Sequence, residues 1–151
     1  MDISSNPGFL LHKIGAMMEH VSDHVLFDEF GIGFSQFKIL FTLEHHDSGI
    51  QQKEIAAFLG QTEASVSRQI KLLGEARLVS VEKGVDDKKK RIVTLTNRGR
   101  VVAMEAFSVL NAHYTPVLSV LSSKDQEIFA NYLSKVHGAL DINCSVLFPK
   151  S

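Results

Sequence analysis

Two polar clusters in the middle of this 151-residue chain have the side-chain chemistry needed to bind a polyanion. The first places two acids, Asp86 and Asp87, before four consecutive bases, Lys88, Lys89, Lys90 and Arg91. Lysine and arginine neutralise phosphates and release the counterions that surround them. This cluster therefore indicates a partner with closely spaced negative charges, and Asp87 is placed to hold the neighbouring lysines.

The second cluster combines short hydroxyls, one amide and one arginine: Thr62, Ser65, Ser67, Arg68 and Gln69. On a helix, short hydroxyl side chains let the backbone approach phosphates or base edges, and Arg68 is suited to a guanine or a phosphate. Taken alone, these residues are equally consistent with an ordinary solvated helix face. The basic cluster that follows them along the chain favours nucleic-acid binding.

The formal charge of the chain is only −1, but it is unevenly divided. Residues 62–100 carry ten Lys or Arg and five acids, a net charge of +5, whereas the remaining residues have a net charge of −6. A polyanion is attracted to one part of such a molecule and repelled by the rest. The charge pattern therefore predicts orientation as well as attraction.

The elements that must position these clusters are mostly helical. Apolar residues recur at three- and four-residue steps and predict a first helix from about Pro7 to Asp28, ended by the glycines of FGIGF, and a second around residues 37–43. A long helix follows residue 96, where Asn97 can cap it and Pro116 should bend it. A last helix begins at Ser122 or Ser123, either of which can serve as a cap.

Between these helices the chain has the pattern of a helix-turn-helix followed by a hairpin. A short helix over residues 52–59 is stopped by Gly60, and Thr62 can cap the next helix, which buries an apolar stripe. The members of that stripe are Val66, Ile70 and Leu73. The segments LVSVEK and RIVTLT then alternate as strands on either side of the loop GVDDKKK, which carries much of the positive charge.

This order of elements resembles the MarR family of bacterial transcriptional regulators. The motifs that carry the resemblance are QFKIL (36–40), QKEIAAFLG (52–60), SVSRQIKLL (65–73), LVSVEK and DKKKRIVTLTNRGR. It implies a mainly α fold with a small β-hairpin wing, in which a winged helix-turn-helix is flanked by N- and C-terminal dimerisation helices. The implied regions are 34–96 for DNA binding and 7–29 with 97–145 for dimerisation, all within one unit over residues 1–151.

The resemblance also assigns a wing that reaches the DNA minor groove, and here the sequence departs from the usual pattern. Asp87-Lys88-Lys89 has lysine where an arginine is usual, and lysine, a compact and strongly hydrated charge, discriminates less well in a narrow groove. Arg77 occupies a position where the family often has a glycine that ends the recognition helix. Arginine tolerates the left-handed conformation poorly, so we expect that helix to end differently, with Gly74 as a candidate end and Arg77 near the DNA backbone.

By resemblance, the partners are double-stranded DNA with a roughly palindromic operator, a second copy of the chain, and a small aromatic or anionic effector whose binding residues the sequence does not identify. The function implied is a homodimeric, sequence-specific and ligand-responsive repressor of a nearby operon. A winged-helix module that binds protein without reading an operator is the alternative, and a metal-responsive regulator is another. For the latter, His20 and His24 lie with carboxylates on one helix face, although a solvated face explains them more simply.

No nucleophile elbow, metalloprotease helix, phosphate loop or dinucleotide glycine motif appears, so we expect no enzyme, no cofactor and no metal site. The amino terminus lacks the features of a signal peptide, no run is long enough to span a membrane, and the single Cys144 cannot form an internal disulfide. These features predict a cytoplasmic, nucleoid-associated protein without a membrane partner.

Overall fold

The computed structural model describes residues 3–84 and 90–147 of the chain. Its elements, in chain order, are a 3-10 turn at Ile3–Ser5, α1 (Pro7–Phe30), α2 (Phe34–Glu44), β1 (Ile50–Gln51), α3 (Gln52–Leu59), α4 (Glu63–Glu75), β2 (Val79–Lys83), β3 (Arg91–Leu95), α5 (Asn97–Leu118) and α6 (Ser123–Leu147). The predicted fold class, mainly α with a small hairpin, is confirmed.

The chain forms two compact units. One extends to Leu110 and contains the sheet, α1 to α4 and the first half of α5, and the other begins at Asn111. The first unit is built around a core of fully buried aliphatic side chains contributed by its helices and by β3: Leu26, Ile39, Leu40, Leu43, Ile55, Val66, Leu73 and Val93. The core therefore fixes α4 through its predicted stripe, of which Ile70 is also buried.

The helix ends of the first unit follow the chemistry expected from the sequence. The glycine Gly31 ends α1 in a left-handed conformation with φ of 67°, and Gly60 ends α3 in the same way with φ of 62°. The side chain of Thr62 accepts a hydrogen bond from the amide of Ser65 at 3.2 Å and so caps α4. These boundaries set the tight turn between α3 and α4.

The sheet has three antiparallel strands in the order β1-β3-β2, one more than the sequence predicts. Strand β1 is only two residues long, and it pairs Ile50 with Val93 and Gln51 with Ile92. Gly49 precedes β1 in the sequence and has φ of 74°. It lies so close to β3 that a Cβ at this position would be 2.6 Å from the carbonyl oxygen of Val93. Because α3 begins directly after β1, the pairing of β1 with β3 holds the start of α3 against the hairpin.

Two expectations about helix ends are wrong. Helix α4 continues through Gly74 to Glu75, and Arg77 adopts the left-handed conformation with φ of 58° that we expected it to avoid. The hydroxyl of Thr96, not the side chain of Asn97, caps α5, because it accepts the amide of Gly99 at 2.9 Å. In both cases the backbone around residues 77 and 96 is fixed by contacts between distant parts of the chain.

In the second unit, the hydroxyl of Ser122 accepts the amide of Asp125 at 3.2 Å, which confirms the predicted cap of α6. Pro116 lies inside α5, two residues before its last residue, Leu118. Within the described residues, none of the helices combines the length and apolar character that a membrane crossing requires.

Candidate nucleic-acid interface

Helix α4 has one buried side, formed by Val66, Ile70 and Leu73, and two sides that are exposed. Positions 64, 67, 68 and 71 lie on one side, since 67 and 68 are each three or four residues from both 64 and 71. Positions 69, 72 and 76 follow one another at three- and four-residue steps on another side. The two exposed sides border two separate clefts in the first unit. The two clefts differ in charge, because the first is lined by cations and the second by no charged side chain.

The first cleft, which we call the cationic cleft, lies between α4 and the hairpin and has a volume of about 590 Å³. It is lined by residues from α3, α4, β2 and β3: Gln52, Ala64, Ser67, Arg68, Ile70, Lys71, Gly74, Val81 and Arg91. Three of these side chains are cations and none is a carboxylate. An extended anion that entered the cleft would thus meet positive charge from both the helix and the sheet.

The cations of this cleft are available for an external partner. Among the residues that the structure describes, Arg68, Lys71 and Arg91 are exposed and form no ion pair. Arg100 from the same positive segment is engaged instead, with its guanidinium 3.0 Å from a carboxylate oxygen of Glu44 and 3.3 Å from one of Asp47. The two carboxylates therefore neutralise Arg100, whereas the three cations of the cleft keep their charge for a partner.

A second polar cleft of about 370 Å³ adjoins the cationic cleft at the base of the hairpin. Its lining comes from the starts of α3, α4 and β3: Gln51, Gln52, Lys53, Glu63, Lys90 and Arg91. The amide of Gly84 donates to the carbonyl of Lys90 at 2.8 Å, which closes the base of the loop. Lys90 and Arg91, the last two bases of the sequence cluster, line this cleft together with Glu63 from the start of α4.

The structure separates the residues of the predicted recognition helix. Ser67 and Arg68 line the cationic cleft, whereas Gln69 faces away from it. Thr62 and Ser65 form the capping hydrogen bond at the start of the helix. Of the predicted wing residues, Lys90 and Arg91 occupy the two polar clefts, and Asp87, Lys88 and Lys89 lie outside the described residues.

Sequence reasoning did not single out Gln52, Lys53 or Lys71, which also line these clefts. Lys71 could have been found, because it lies three residues after Arg68 and so on the same helix face. Gln52 and Lys53 are brought to the site by the pairing of β1 with β3. A strand of two residues leaves too weak a pattern in the sequence to predict that pairing.

The opposite side of α4 borders what we call the apolar cleft, with a volume of about 420 Å³. The cleft is lined by α1, α2 and α4 and carries no charged side chain: Phe27, Gly31, Ile32, Gly33, Gln36, Gln69, Leu72, Leu73 and Ala76. Phe27 is 66% exposed and Leu72 is 45% exposed at its rim. Such a surface offers little to a phosphate backbone.

The histidines proposed for a metal site are arranged differently from a ligand set. The ring centroids of His20 and His24 are 4.4 Å apart, and Nδ1 of His24 is 3.0 Å from the carbonyl oxygen of His20. The carboxylate of Asp23 accepts the amide of Phe34 at 2.8 Å, and that of Glu19 pairs with a lysine. In the part of the chain that the structure describes, no three His, Cys, Asp or Glu side chains converge on one point.

Comparison with known proteins agrees with this geometry. The model of the MarR family matches residues 30–90, which include α2, α3, α4 and β2 and end one residue before β3. The HTH-type transcriptional repressor Rv2887 of Mycobacterium tuberculosis is 27% identical over 129 residues, covering 85% of this chain and 91% of that repressor.

Solved structures show the same architecture. The DNA complex of Rv2887 superposes with a TM-score of 0.73 at 26% identity, over 87% of this chain and 98% of that one. The DNA complex of MepR from Staphylococcus aureus superposes with a TM-score of 0.77 at 24% identity, over 89% of this chain and 98% of that one. The similarity thus extends beyond the helix-turn-helix to nearly the whole of both structures.

Proposed function

Because the chain belongs to the MarR family of transcriptional regulators, which bind DNA and are not enzymes, we propose that it is a homodimeric, ligand-responsive repressor of a nearby operon. In this proposal each subunit reads one half of a roughly palindromic operator. A small aromatic or anionic effector then releases the protein from the DNA. A regulator of this kind acts in the bacterial cytoplasm, at the nucleoid.

The observation that carries the proposal is the cationic cleft. Its three unpaired cations come from two elements, with Arg68 and Lys71 on α4 and Arg91 on β3. Phosphates lie along both edges of a DNA groove. A helix inside the groove can reach some of them with its own cations, and cations from a neighbouring element can contact the others. We propose that Arg68 reaches a base edge or phosphate, and that Lys71 and Arg91 contact the backbone.

The wing proposal adds to this interface the loop between β2 and β3. Lys83 pairs with Arg91 in the strand register, and Arg91 lines the cationic cleft. We propose that Asp87, Lys88 and Lys89, which lie between these two residues in the sequence, follow the DNA backbone into the adjacent minor groove. Its lysines would contribute attraction that depends strongly on salt, with modest discrimination of groove width.

Exposed apolar faces support dimerisation through both ends of the chain. In the first unit, α1 exposes Ile14 by 47% and Met17 by 60%. In the second unit, α6 exposes a series of large apolar side chains at helical spacing: Ile128, Phe129, Tyr132, Val136 and Leu140. Contiguous apolar surface of this kind is typical of protein interfaces. A twofold dimer would present two α4 helices about 34 Å apart, one turn of B-DNA.

A fluorescence titration with a duplex from the region upstream of the protein's own gene would test the proposal. If each dimer contacts about six phosphates, the logarithm of affinity should fall against the logarithm of salt concentration with a slope of about −5. A scrambled duplex of the same length and composition should bind at least about a hundredfold more weakly. Affinity that does not respond to salt would contradict an interface built from the cationic cleft.

The protein-interaction alternative makes a different prediction for the same titration. A module that no longer reads DNA would bind the upstream and scrambled duplexes equally weakly. Substitution of Lys88 to Arg91 by alanine would then leave DNA affinity unchanged, whereas our proposal expects a loss with both duplexes because backbone contacts are shared.

A further inference from the structure

The turn that follows α4 is joined to the first turn of α5 through the hydroxyl group of Thr96. The hydroxyl of Thr96 donates to the carbonyl of Arg77 at 2.8 Å, with the carbonyl of Leu78 also close at 3.1 Å, and it accepts the amide of Gly99 at 2.9 Å. A hydroxyl has one donor and two acceptor positions, so Thr96 uses both functions at once. We call Arg77, Leu78, Thr96 and Gly99 the Thr96 junction.

The backbone on the α4 side of the junction is held in an unusual conformation. Arg77 is the only non-glycine residue among those described with a positive φ. Its amide donates to the carbonyl of Gly74 at 2.9 Å, and the amide of Leu78 donates to that of Leu73 at the same distance. A residue in the left-handed region persists where surrounding contacts determine its conformation, and the hydrogen bond from Thr96 to the carbonyl of Arg77 is such a contact.

The first turn of α5 also approaches the backbone of the turn after α4 too closely for any side chain at the contact. A Cβ added to Gly99 would lie 1.9 Å from the carbonyl oxygen of Leu78 and 2.8 Å from its carbonyl carbon. That same oxygen accepts the amide of Thr96 at 3.1 Å. Backbone contacts at this distance leave little freedom, so a change in the direction of α5 at its first turn is passed directly to the turn that ends α4.

We propose that Thr96 is a positioning residue for operator recognition, which fixes the direction of α4 relative to α5 without contacting DNA. The inference rests on the proposed function. Thr96 is half-buried and lines neither the cationic nor the apolar cleft. Its substitution acts on binding through the orientation of the face that carries Arg68 and Lys71. Specific contacts require that orientation, whereas nonspecific attraction to phosphates tolerates a wide range of orientations.

The test compares Thr96→Val, which keeps the shape but removes the hydroxyl, with Thr96→Ser, which keeps the hydroxyl. Full-length proteins are titrated with the upstream duplex and with the scrambled duplex, and their thermal unfolding is recorded. We expect Thr96→Val to weaken upstream-duplex binding about tenfold and scrambled-duplex binding less than about twofold, since a carbonyl and an amide lose their partner. Thr96→Ser should retain wild-type affinity.

Thr42→Val is the matched control, because the hydroxyl of Thr42 also donates to a backbone carbonyl at 2.8 Å in the first unit but lies outside the junction. We expect it to leave both affinities unchanged. Equal upstream-duplex affinity of Thr96→Val and wild type would overturn this inference alone. A parallel loss on both duplexes would also overturn it, because it indicates a structural rather than a positioning role. A wild-type protein that does not distinguish the duplexes would overturn the proposed function and the inference together.

Discussion

The two exposed faces of α4 lie on the same short helix but border clefts of different charge. One borders a cleft with three unpaired cations, and the other borders a cleft without a charged side chain. Both are part of one 13-residue helix, Glu63–Glu75, and share the same buried stripe. The neighbours of each face come from different elements, so membership of α4 alone does not place a polar residue in the nucleic-acid interface that we propose.

The largest expected difference between the faces concerns the adjacent residues Arg68 and Gln69. We expect Arg68→Ala to weaken binding to the upstream duplex by about tenfold to a hundredfold, because a guanidinium contact to a guanine or a phosphate is lost. Gln69→Ala, on the apolar side, should change it by less than about twofold. Fluorescence titrations at one salt concentration would compare the two variants directly.

Equal losses for these two substitutions would contradict the division of α4 into a binding face and a face without charge. In that case the helix would lie deeper in the groove, with both sides in contact with DNA. A Gln69 effect confined to the upstream duplex would identify a base contact, whereas one shared with the scrambled duplex would identify a backbone contact.

A smaller effect is expected from Arg91, the cation that the sheet contributes to the binding face. If Arg91 contacts a phosphate, Arg91→Ala should weaken binding to the upstream and scrambled duplexes alike and reduce the salt slope by about 1. The matched control is Arg98→Ala, since Arg98 belongs to the same basic segment but lines neither polar cleft. Its slope should remain that of the wild type, and a reduced slope for Arg98→Ala would extend the interface onto α5.

The sequence predicts the start of α4 much better than its end. Thr62 caps the helix through the amide of Ser65, three residues away, so the signal is contained in one short segment. At the other end, Arg77 keeps the left-handed turn although its side chain disfavours it. The carbonyl of Arg77 accepts the hydroxyl of Thr96, 19 residues further along the chain, and no local pattern reports such a contact.

In the candidate site too, features set by local sequence are predicted well and features set by distant contacts are not. Helical spacing correctly predicts the buried stripe of Val66, Ile70 and Leu73, and the resemblance to the MarR family is confirmed. Outward-facing residues are harder to assign, because the spacing that buries one stripe leaves two sides exposed. The neighbouring elements distinguish the two sides, since Arg68 shares a cleft with the hairpin and Gln69 shares one with α1 and α2.

The smallest effect is expected at Arg77, where the two faces of α4 end. Its side chain is exposed and lines neither the cationic nor the apolar cleft. Arg77→Gly should raise the free energy of unfolding by about 0.5–1 kcal/mol, because glycine adopts a positive φ without a steric penalty. Chemical denaturation would measure the change.

The control for Arg77 is the neighbouring Ala76, which has φ of −76°. Ala76→Gly should lower the free energy of unfolding by about 0.5–1 kcal/mol, since glycine gains nothing there and loses more backbone entropy. Operator affinity of Arg77→Gly should stay within about twofold of wild type if the binding face stops at the cationic cleft. A larger loss would place Arg77 at the DNA backbone and extend the binding face to the end of α4, at the cost of a strained conformation.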